Sequence, residues 1–151
     1  MGAVIGIDPG ASGALALLPS EGEPVAVDYP GDVTLAADIL RGWRLEHEVR
    51  LVALEQVHSM PKQGVKSTFS LGRNLGAWEG VLAGLGLPYV MVGPQEWQRG
   101  LVRPSDGDSP KERALTVARR LFPTVDLSRK GDDGRADALL LAWWARKSLG
   151  E

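Results

Sequence analysis

The sequence contains no cysteine and two histidines, His47 and His58. Without cysteine neither a disulfide framework nor a thiolate metal site can form, so a bound metal would have to be held by oxygen atoms or by the two histidines. Long apolar runs are also missing, because the longest, residues 138–145, is far too short to cross a bilayer. The chain also begins without the basic segment of a signal peptide. We therefore expect a soluble cytoplasmic protein without a membrane partner.

The net charge of −2 argues against a generic nucleic-acid binder, but the charges are unevenly distributed. Residues 1–58 carry nine acids and three bases, residues 59–120 carry five acids and nine bases, and residues 121–151 carry five of each. Cations bound to four of the acids would make the metal-loaded protein positive. DNA therefore stays open as a partner, and an ordinary solvated surface is equally compatible with the charge alone.

The length and the 44% hydrophobic content fit a single domain, residues 1–151, with a core around one sheet. Apolar runs separated by turn residues predict strands at 3–8, 14–18, 24–29, 50–55 and 87–92, of which the first two form a hairpin. Helical spacing predicts helices at 34–48, 67–86, 109–122 and 132–149, with a short helical turn at 94–101 and an exposed loop at 103–108. This order predicts an α/β fold in which helices flank a mixed sheet.

Two of the predicted helices carry more detailed signals. In the 34–48 helix we expect Leu35, Ile39 and Trp43 to lie on one face. The 109–122 helix opens with Ser109 as N-cap, Pro110 at the first helical position and Glu112 at the capping-box position.

Four acidic residues stand at the ends of strongly apolar segments. Asp8 ends the first predicted strand and Glu55 the fourth, so neighbouring strands would bring both side chains to one edge of the sheet. Asp133 and Asp137 are four residues apart, on one face of a helix whose apolar continuation must pack on the sheet. Burying such carboxylates without a cation costs several kcal/mol or protonates them.

Oxygen ligands in this number suit Mg²⁺ or Mn²⁺, and two such ions per active site would activate water and stabilise the leaving oxygen of a phosphodiester. Structural roles stay open for each acid: Asp132 or Asp133 as the N-cap of the last helix, and Asp8 as a turn residue before Pro9.

Three sequence motifs in this order resemble the RuvC Holliday-junction resolvases of the ribonuclease H-like superfamily. They are Ile5-Gly6-Ile7-Asp8-Pro9-Gly10, Leu54-Glu55-Gln56-Val57 and Ala136-Asp137-Ala138-Leu139. The bacteriophage type of these resolvases is further matched by Pro61-Lys62-Gln63-Gly64-Val65-Lys66-Ser67, by Pro94-Gln95-Glu96-Trp97 and by the ending Asp133 to Ala138. Together these motifs span nearly the whole chain.

The resemblance implies a ribonuclease H-like mixed sheet of five strands, the first three antiparallel. It also implies a homodimeric, divalent-metal-dependent crossover junction endonuclease that cuts two opposing strands of a four-way DNA junction, leaving 5′-phosphates and 3′-hydroxyls. Such an enzyme would act in DNA recombination and repair, in a prokaryotic cell or a phage-infected host.

The chain departs from the pattern of cellular RuvC proteins at two positions. Their last two acids are three residues apart, but Gly134 stands at the earlier place here, so Asp133, or else Asp132, would supply the fourth metal ligand. They also carry a junction-stacking aromatic residue three positions after the glutamate, where this chain has His58. The candidates for opening the junction are therefore His58, Met60 and Phe69, and the preference for four-way junctions over flaps stays open.

Glycine recurs every four residues in the second predicted helix, at Gly72, Gly76, Gly80 and Gly84, which we call the glycine stripe. Each glycine in a helix interior costs about 1 kcal/mol relative to alanine, so the stripe favours close approach of another backbone. The resemblance places this helix at a dimer interface, with packing inside the chain as the alternative.

Basic and polar residues near Glu55 are the predicted contacts to DNA phosphates. They are Lys62, Gln63, Lys66 and Arg73, with Lys111 in a second basic group that also contains Arg99, Arg103 and Arg113. A solvated surface is the alternative for each residue.

Three other functions compete with a junction resolvase. Another ribonuclease H-like nuclease, acting on branched DNA or RNA–DNA hybrids, would use the same carboxylates. A sugar-kinase or actin-like fold would need a much longer chain. A non-catalytic junction-binding protein would not need the complete acidic set.

Overall fold

The structure is a computed structural model that describes residues 2–151, so residue 1 of the predicted domain lies outside the described residues. The strands are β1 (Ala3–Asp8), β2 (Ala14–Leu18), β3 (Val25–Asp28), β4 (Val49–Glu55) and β5 (Tyr89–Val92). The helices are α1 (Val33–Glu46), α2 (Val65–Gly84), α3 (Pro94–Gln98), α4 (Pro110–Leu121) and α5 (Asp133–Ser148), with a 3₁₀ turn at Pro104–Asp106. The predicted strands and long helices are confirmed, with ends that differ by at most two residues.

The five strands form one mixed sheet in the order β3-β2-β1-β4-β5. β2 is antiparallel to both β1 and β3, whereas β4 is parallel to both β1 and β5. The predicted mixed sheet with three antiparallel first strands is therefore confirmed. Ile7 of β1 pairs with Leu54 of β4, so the next residue of each strand, Asp8 and Glu55, stands at the same end of the sheet.

Apolar layers cover both faces of the sheet, which is why the central strands are apolar at consecutive positions. On one face Val4, Ala16 and Ala53 belong to the core layer formed with α4 and α5. On the other face, Ile5 and Leu54 belong to the layer formed with α1 and α2. None of the helices within residues 2–151 combines the length and apolar composition that a membrane crossing requires.

Helix α5 lies directly on β1 because the strand has no side chain at Gly6. A Cβ atom there would collide with the carbonyl oxygen of Ala138 and would stand 2.5 Å from the amide nitrogen of Ala142. Both atoms belong to the backbone of α5, so they cannot move aside as a flexible side chain could. The glycine therefore sets the distance between the helix and the strand.

The buried face of α1 is centred one position away from the line of Leu35, Ile39 and Trp43. Its fully buried residues are Ala36 and Leu40, while Ile39 and Trp43 are partly buried in the same layer. Leu35 is 50% exposed, so the face that it shares with Ile39 and Trp43 is only partly buried. The small Ala36 marks the line of closest contact, which a pattern built on large apolar residues misplaces by one position.

The predicted start of α4 is confirmed, with one difference. The Ser109 hydroxyl accepts a hydrogen bond from the Glu112 amide at 3.2 Å, as an N-cap does. The Glu112 carboxylate accepts from the amide of Asp108 at 3.0 Å, one residue earlier than the reciprocal bond of a capping box.

Candidate active site

Three elements that are distant in sequence bring four carboxylates to one end of the sheet. Asp8 and Glu55 end the neighbouring parallel strands β1 and β4, and α5 packs across these strands with Asp133 in its first turn and Asp137 one turn later. All four side chains are partly buried. We call these residues the carboxylate cluster.

The charges of the cluster act most strongly on Asp137. Burial, together with the negative charges of Asp8, Glu55 and Asp133, raises the pKa of Asp137 to about 8. Electrostatic coupling of this kind falls with distance, so Asp137 lies within reach of the other three carboxylates. A site with these properties favours either a proton or a cation next to Asp137.

Asp8 has a local role in the turn as well as a place in the cluster. Its Oδ1 atom accepts a hydrogen bond from the Gly10 amide at 3.1 Å, which closes the turn after β1. Burial raises the pKa of Asp8, the bond from Gly10 lowers it, and the charge of Asp133 raises it again. The turn role proposed for Asp8 and its place in the cluster are therefore compatible.

Glu55 is held by a tryptophan from the following helix. The indole Nε1–H of Trp97 donates a hydrogen bond of 2.7 Å to Glu55 Oε2. Burial raises the pKa of Glu55, the bond from Trp97 lowers it, and the charge of Asp8 raises it. Glu55 therefore has one oxygen fixed by the protein and a carboxylate neighbour in Asp8.

The structure separates the two candidates for the fourth acid. Asp132 is 1% exposed and accepts two hydrogen bonds from Arg129, at 2.7 Å from its amide and at 2.8 Å from its Nε. It stands at the N-cap position of α5, but among residues 2–151 its side chain makes no cap hydrogen bond. Asp133, by contrast, is the residue whose charge acts on Asp8 and Asp137.

Position 134 has no space for an acid. A Cβ atom on Gly134 would collide with the carbonyl oxygen of Ser12 and would come within 3.2 Å of the Gly13 Cα atom. The first turn of α5 therefore lies against the turn between β1 and β2. This contact explains why the acid of this helix turn stands four residues before Asp137 and not three.

No group of three or more histidine, aspartate and glutamate side chains within the described range 2–151 is arranged as a ready ligand set for a metal ion. Burial and, after it, the neighbouring negative charges raise the pKa of Asp137, and both oppose a close grouping of charged carboxylates. The donor atoms of the cluster are nevertheless all oxygens, the type that Mg²⁺ and Mn²⁺ prefer. The residues fit a divalent cation by their chemistry and by their shared location.

The predicted phosphate contacts lie on two different surfaces. Gln63 lines a cleft that also contains Asp8, and both ends of its amide are bound within the same segment, to the Met60 amide at 2.8 Å and to the Ser67 hydroxyl at 2.7 Å. Lys62, Lys66 and Arg73 are exposed around this cleft and along α2. Lys111 is exposed in the first turn of α4, outside the elements that line the cleft.

The three predicted junction-opening residues are exposed in the segment that follows Glu55. Met60 is 71% exposed and Phe69 is 70% exposed, and His58 is exposed as well. Exposed apolar side chains mark a contact site only where they form a contiguous patch, and single ones are common on protein surfaces. All three residues follow Glu55 of the carboxylate cluster in the sequence.

All four residues of the glycine stripe are exposed on α2. No atom of the described chain, apart from the helix backbone and the adjacent residues, lies within 4 Å of the place where a Cβ would stand on Gly72, Gly76, Gly80 or Gly84. Packing within residues 2–151 therefore gives no reason for these glycines.

Two residues of this site were not predicted from the sequence. Trp97 was part of the Pro94-Gln95-Glu96-Trp97 motif, but no role was assigned to it. Asn74 donates a hydrogen bond of 2.5 Å from its Nδ2 to the carbonyl oxygen of Pro9, directly after Asp8. The signal for Asn74 was that it is the single asparagine of the chain.

The sheet order, with a carboxylate at the end of each of two central parallel strands, is that of a ribonuclease H-like fold. The chain is similar to RuvC of Thermus thermophilus in complex with a Holliday junction substrate, with a TM-score of 0.68 and 22% identity over 98% of this chain and 97% of that one. A second Thermus thermophilus RuvC structure gives a TM-score of 0.63 at 22% identity, over 97% and 96% of the two chains. The yeast mitochondrial Holliday junction resolvase Ydc2 gives 0.53 at 14% identity, over 97% and 80%.

The chain therefore has the ribonuclease H-like fold of the RuvC resolvases, which confirms the fold implied by the sequence motifs. In sequence, it is 35% identical over 104 residues to the chloroplastic Holliday junction resolvase MOC1 of Chlamydomonas reinhardtii. That match covers 65% of this chain and 12% of the length of the relative. Comparison with protein-family models gave no match. The bacteriophage type stays a prediction.

Proposed function

We propose that this protein is a divalent-metal-dependent endonuclease that resolves four-way DNA junctions. The observation that carries the proposal is the carboxylate cluster, in which burial and three neighbouring carboxylates raise the pKa of Asp137 to about 8. Perturbed groups that share one location are typical of catalytic sites. The four residues come from three elements, so local turn or cap roles do not explain their meeting.

The residues that would hold the metal are Asp8, Glu55, Asp133 and Asp137, with Mg²⁺ or Mn²⁺ as the cation and two ions per active site. When bound, the ions would activate a water molecule and stabilise the oxygen that leaves the phosphodiester. The protein fixes the ligands in advance: the Gly10 amide holds Asp8, and the Trp97 indole holds Glu55. Asp133 and Asp137 are fixed by the seat of α5 on β1 and on the β1–β2 turn.

Junction DNA is the proposed substrate because two of the similar proteins are named as Holliday junction resolvases and a third is in complex with a Holliday junction substrate. His58, Met60 and Phe69 would enter the junction beside the cut site, as exposed side chains that follow Glu55. The expected products are a 5′-phosphate and a 3′-hydroxyl at symmetrical positions on two opposing strands.

The direct test offers the purified protein a synthetic four-way junction, a flap, a linear duplex and an RNA–DNA hybrid, each with Mg²⁺, with Mn²⁺ or with a chelator. We expect paired nicks in the junction with either metal and intact DNA with the chelator. Faster cutting of the hybrid or the flap would favour the other ribonuclease H-like nucleases. Junction binding without any strand scission would leave a non-catalytic binding protein.

Lys62 and Lys66 are expected to contact DNA phosphates near the cut. Replacing either by alanine should weaken junction binding about tenfold at 0.1 M salt, and should lower the salt dependence of log K by about 1, because one phosphate contact releases nearly one counterion. Binding is measured by fluorescence anisotropy across a salt titration. Lys147→Ala, at the far end of α5, is the matched control. If the salt dependence of log K is unchanged in both Lys62→Ala and Lys66→Ala, the assignment of these lysines as phosphate contacts is wrong.

We further propose a homodimer formed through the glycine stripe, whose residues are all exposed on α2. In a free monomer, the three interior glycines of the stripe, Gly72, Gly76 and Gly80, would each destabilise α2 by about 1 kcal/mol with no contact to offset it. Close contact with a second helix would explain them, since residues 2–151 place nothing against them.

Gly76→Leu is expected to convert the dimer to a monomer, because its side chain would occupy the line of closest helix approach. The monomer itself should not lose stability, since leucine favours helix over glycine by nearly 1 kcal/mol and the space around Gly76 within the described chain is open. Sedimentation equilibrium at micromolar protein would detect the change from twice 16.2 kDa to the single-chain mass. Gly42→Leu, in α1 with equally open surroundings, should remain dimeric. A monomeric wild-type protein would refute the interface.

A further inference from the structure

Trp97 occupies an unusual place for a buried tryptophan. It lies in the short helix α3, is 1% exposed, and packs in the core layer of α4 and α5. Its only polar atom, Nε1, is directed at Glu55 Oε2, 2.7 Å away and 42 residues earlier in the chain. The indole N–H of Trp97 therefore connects the core layer of α4 and α5 with Glu55 of the carboxylate cluster.

An indole N–H can donate a hydrogen bond but cannot accept one or titrate. In this bond, therefore, Trp97 is always the donor and the Glu55 oxygen always the acceptor. A hydrogen bond to an ionised acceptor is stronger than one between neutral groups. Because Trp97 is locked by packing, the bond also fixes the rotamer of Glu55 and leaves Oε1 as the oxygen without this bond. A bond that merely satisfied a buried indole could use any carbonyl oxygen and would not require the cluster.

We propose that Trp97 is a positioning residue, whose indole N–H holds Glu55 in a fixed orientation as a ligand for a divalent cation. The inference rests on the proposed function, because it assigns Trp97 a role toward the same site. Hydrogen-bond partners of metal ligands orient those ligands, and their loss typically weakens metal binding by about 10- to 100-fold. Trp97 acts through Glu55 and does not itself touch the metal or the DNA.

The first test compares Trp97→Phe with Trp78→Phe as a matched control. Trp78 is also 1% exposed, but it lies in the core layer on the other face of the sheet, so both variants lose a similar buried volume. The affinity of the metal-free proteins for Mn²⁺ is measured by isothermal titration calorimetry, after far-UV circular dichroism has established folding. We expect affinity to fall at least tenfold in Trp97→Phe and to change less than twofold in Trp78→Phe.

A second measurement uses the wild-type protein and does not depend on the stability of a variant. The indole N–H resonances of the five tryptophans are followed by ¹⁵N nuclear magnetic resonance during titration with Mg²⁺. The Trp97 resonance should shift as the metal site is filled. The cation withdraws negative charge from the Glu55 carboxylate, which accepts the hydrogen bond from the Trp97 indole. The Trp78 resonance should remain in place.

The outcomes distinguish the two levels of the proposal. If the wild-type protein binds Mn²⁺ and cuts junctions, but Trp97→Phe binds Mn²⁺ as tightly as Trp78→Phe, the role of Trp97 is refuted and the proposed function stands. A Trp97 resonance that ignores saturating Mg²⁺ would refute it in the same way. A wild-type protein that neither binds Mn²⁺ nor cuts DNA would overturn both.

Discussion

Replacing Asp137 by asparagine is expected to reduce cleavage of a four-way junction roughly a thousandfold, the scale of losing one electrostatic contributor to a transition state. Asparagine keeps the shape of the side chain but removes the charge that would hold a cation beside Asp8 and Glu55. Junction binding should persist, because the exposed lysines and Arg73 remain. The measurement is a single-turnover cleavage assay, with binding followed separately by anisotropy.

The same substitution should change how the stability of the metal-free protein depends on pH. The pKa of Asp137 is raised from 3.8 to about 8 in the folded state, so between these values the folded protein binds more protons than the unfolded chain. Stability must then fall as pH rises from about 4 to about 8, by at most about 1.4 kcal/mol per pH unit from this group. Asp137→Asn should flatten that decline, and urea unfolding at a series of pH values measures it.

Magnesium provides the complementary experiment. A bound cation favours the ionised carboxylates, so Mg²⁺ should restore stability to the wild-type protein near pH 8 and have little effect on Asp137→Asn. Asp38→Asn, an exposed carboxylate on α1, serves as the control and should keep full activity. Near-normal cleavage by Asp137→Asn would exclude this residue from the catalytic set.

Gly6→Ala is expected to destabilise the fold by about 3 kcal/mol or more, at the upper end of what overpacking costs. The added methyl group would collide with the backbone of α5 at Ala138, and neither the central strand nor the helix can move aside cheaply. Urea denaturation would show a lower midpoint with an unchanged slope. Any folded fraction should also have lost affinity for Mn²⁺, because α5 carries two of the four acids.

Gly93→Ala is the control for this change. Apart from the adjacent residues, no atom of residues 2–151 lies within 4 Å of the place where a Cβ would stand on Gly93. Its stability should stay within about 0.5 kcal/mol of the wild type. Equal stability of Gly6→Ala and the wild type would mean that α5 does not rest on β1 as closely as described.

Much of the fold could be predicted because local patterns and tertiary structure agree. β1 and the second half of β4, residues 51–54, are apolar runs followed by an acid. The sheet buries both runs and brings Asp8 and Glu55 to the same end. Leu35 shows the limit of such patterns, since helix periodicity gives a face only to within one residue. The contact of small residues such as Ala36 decides which side is buried, and that contact depends on the rest of the fold.

The fourth acid could not be assigned from sequence, because the choice depends on distant partners. Spacing alone allowed both Asp132 and Asp133. The bonds from Arg129 to Asp132, and the charge of Asp133 acting on Asp8 and Asp137, distinguish them. Trp97 was similarly hidden, since nothing in its motif shows that the indole meets an acid from another strand. Roles in metal and DNA binding stay predictions for all of these residues.

Asn74 connects the exposed glycine stripe of α2 with the turn that follows Asp8. It stands between two glycines of the stripe, yet its amide reaches inward to the carbonyl of Pro9. In a dimer built on the stripe, this hydrogen bond would connect the helix at the interface to the turn that follows Asp8.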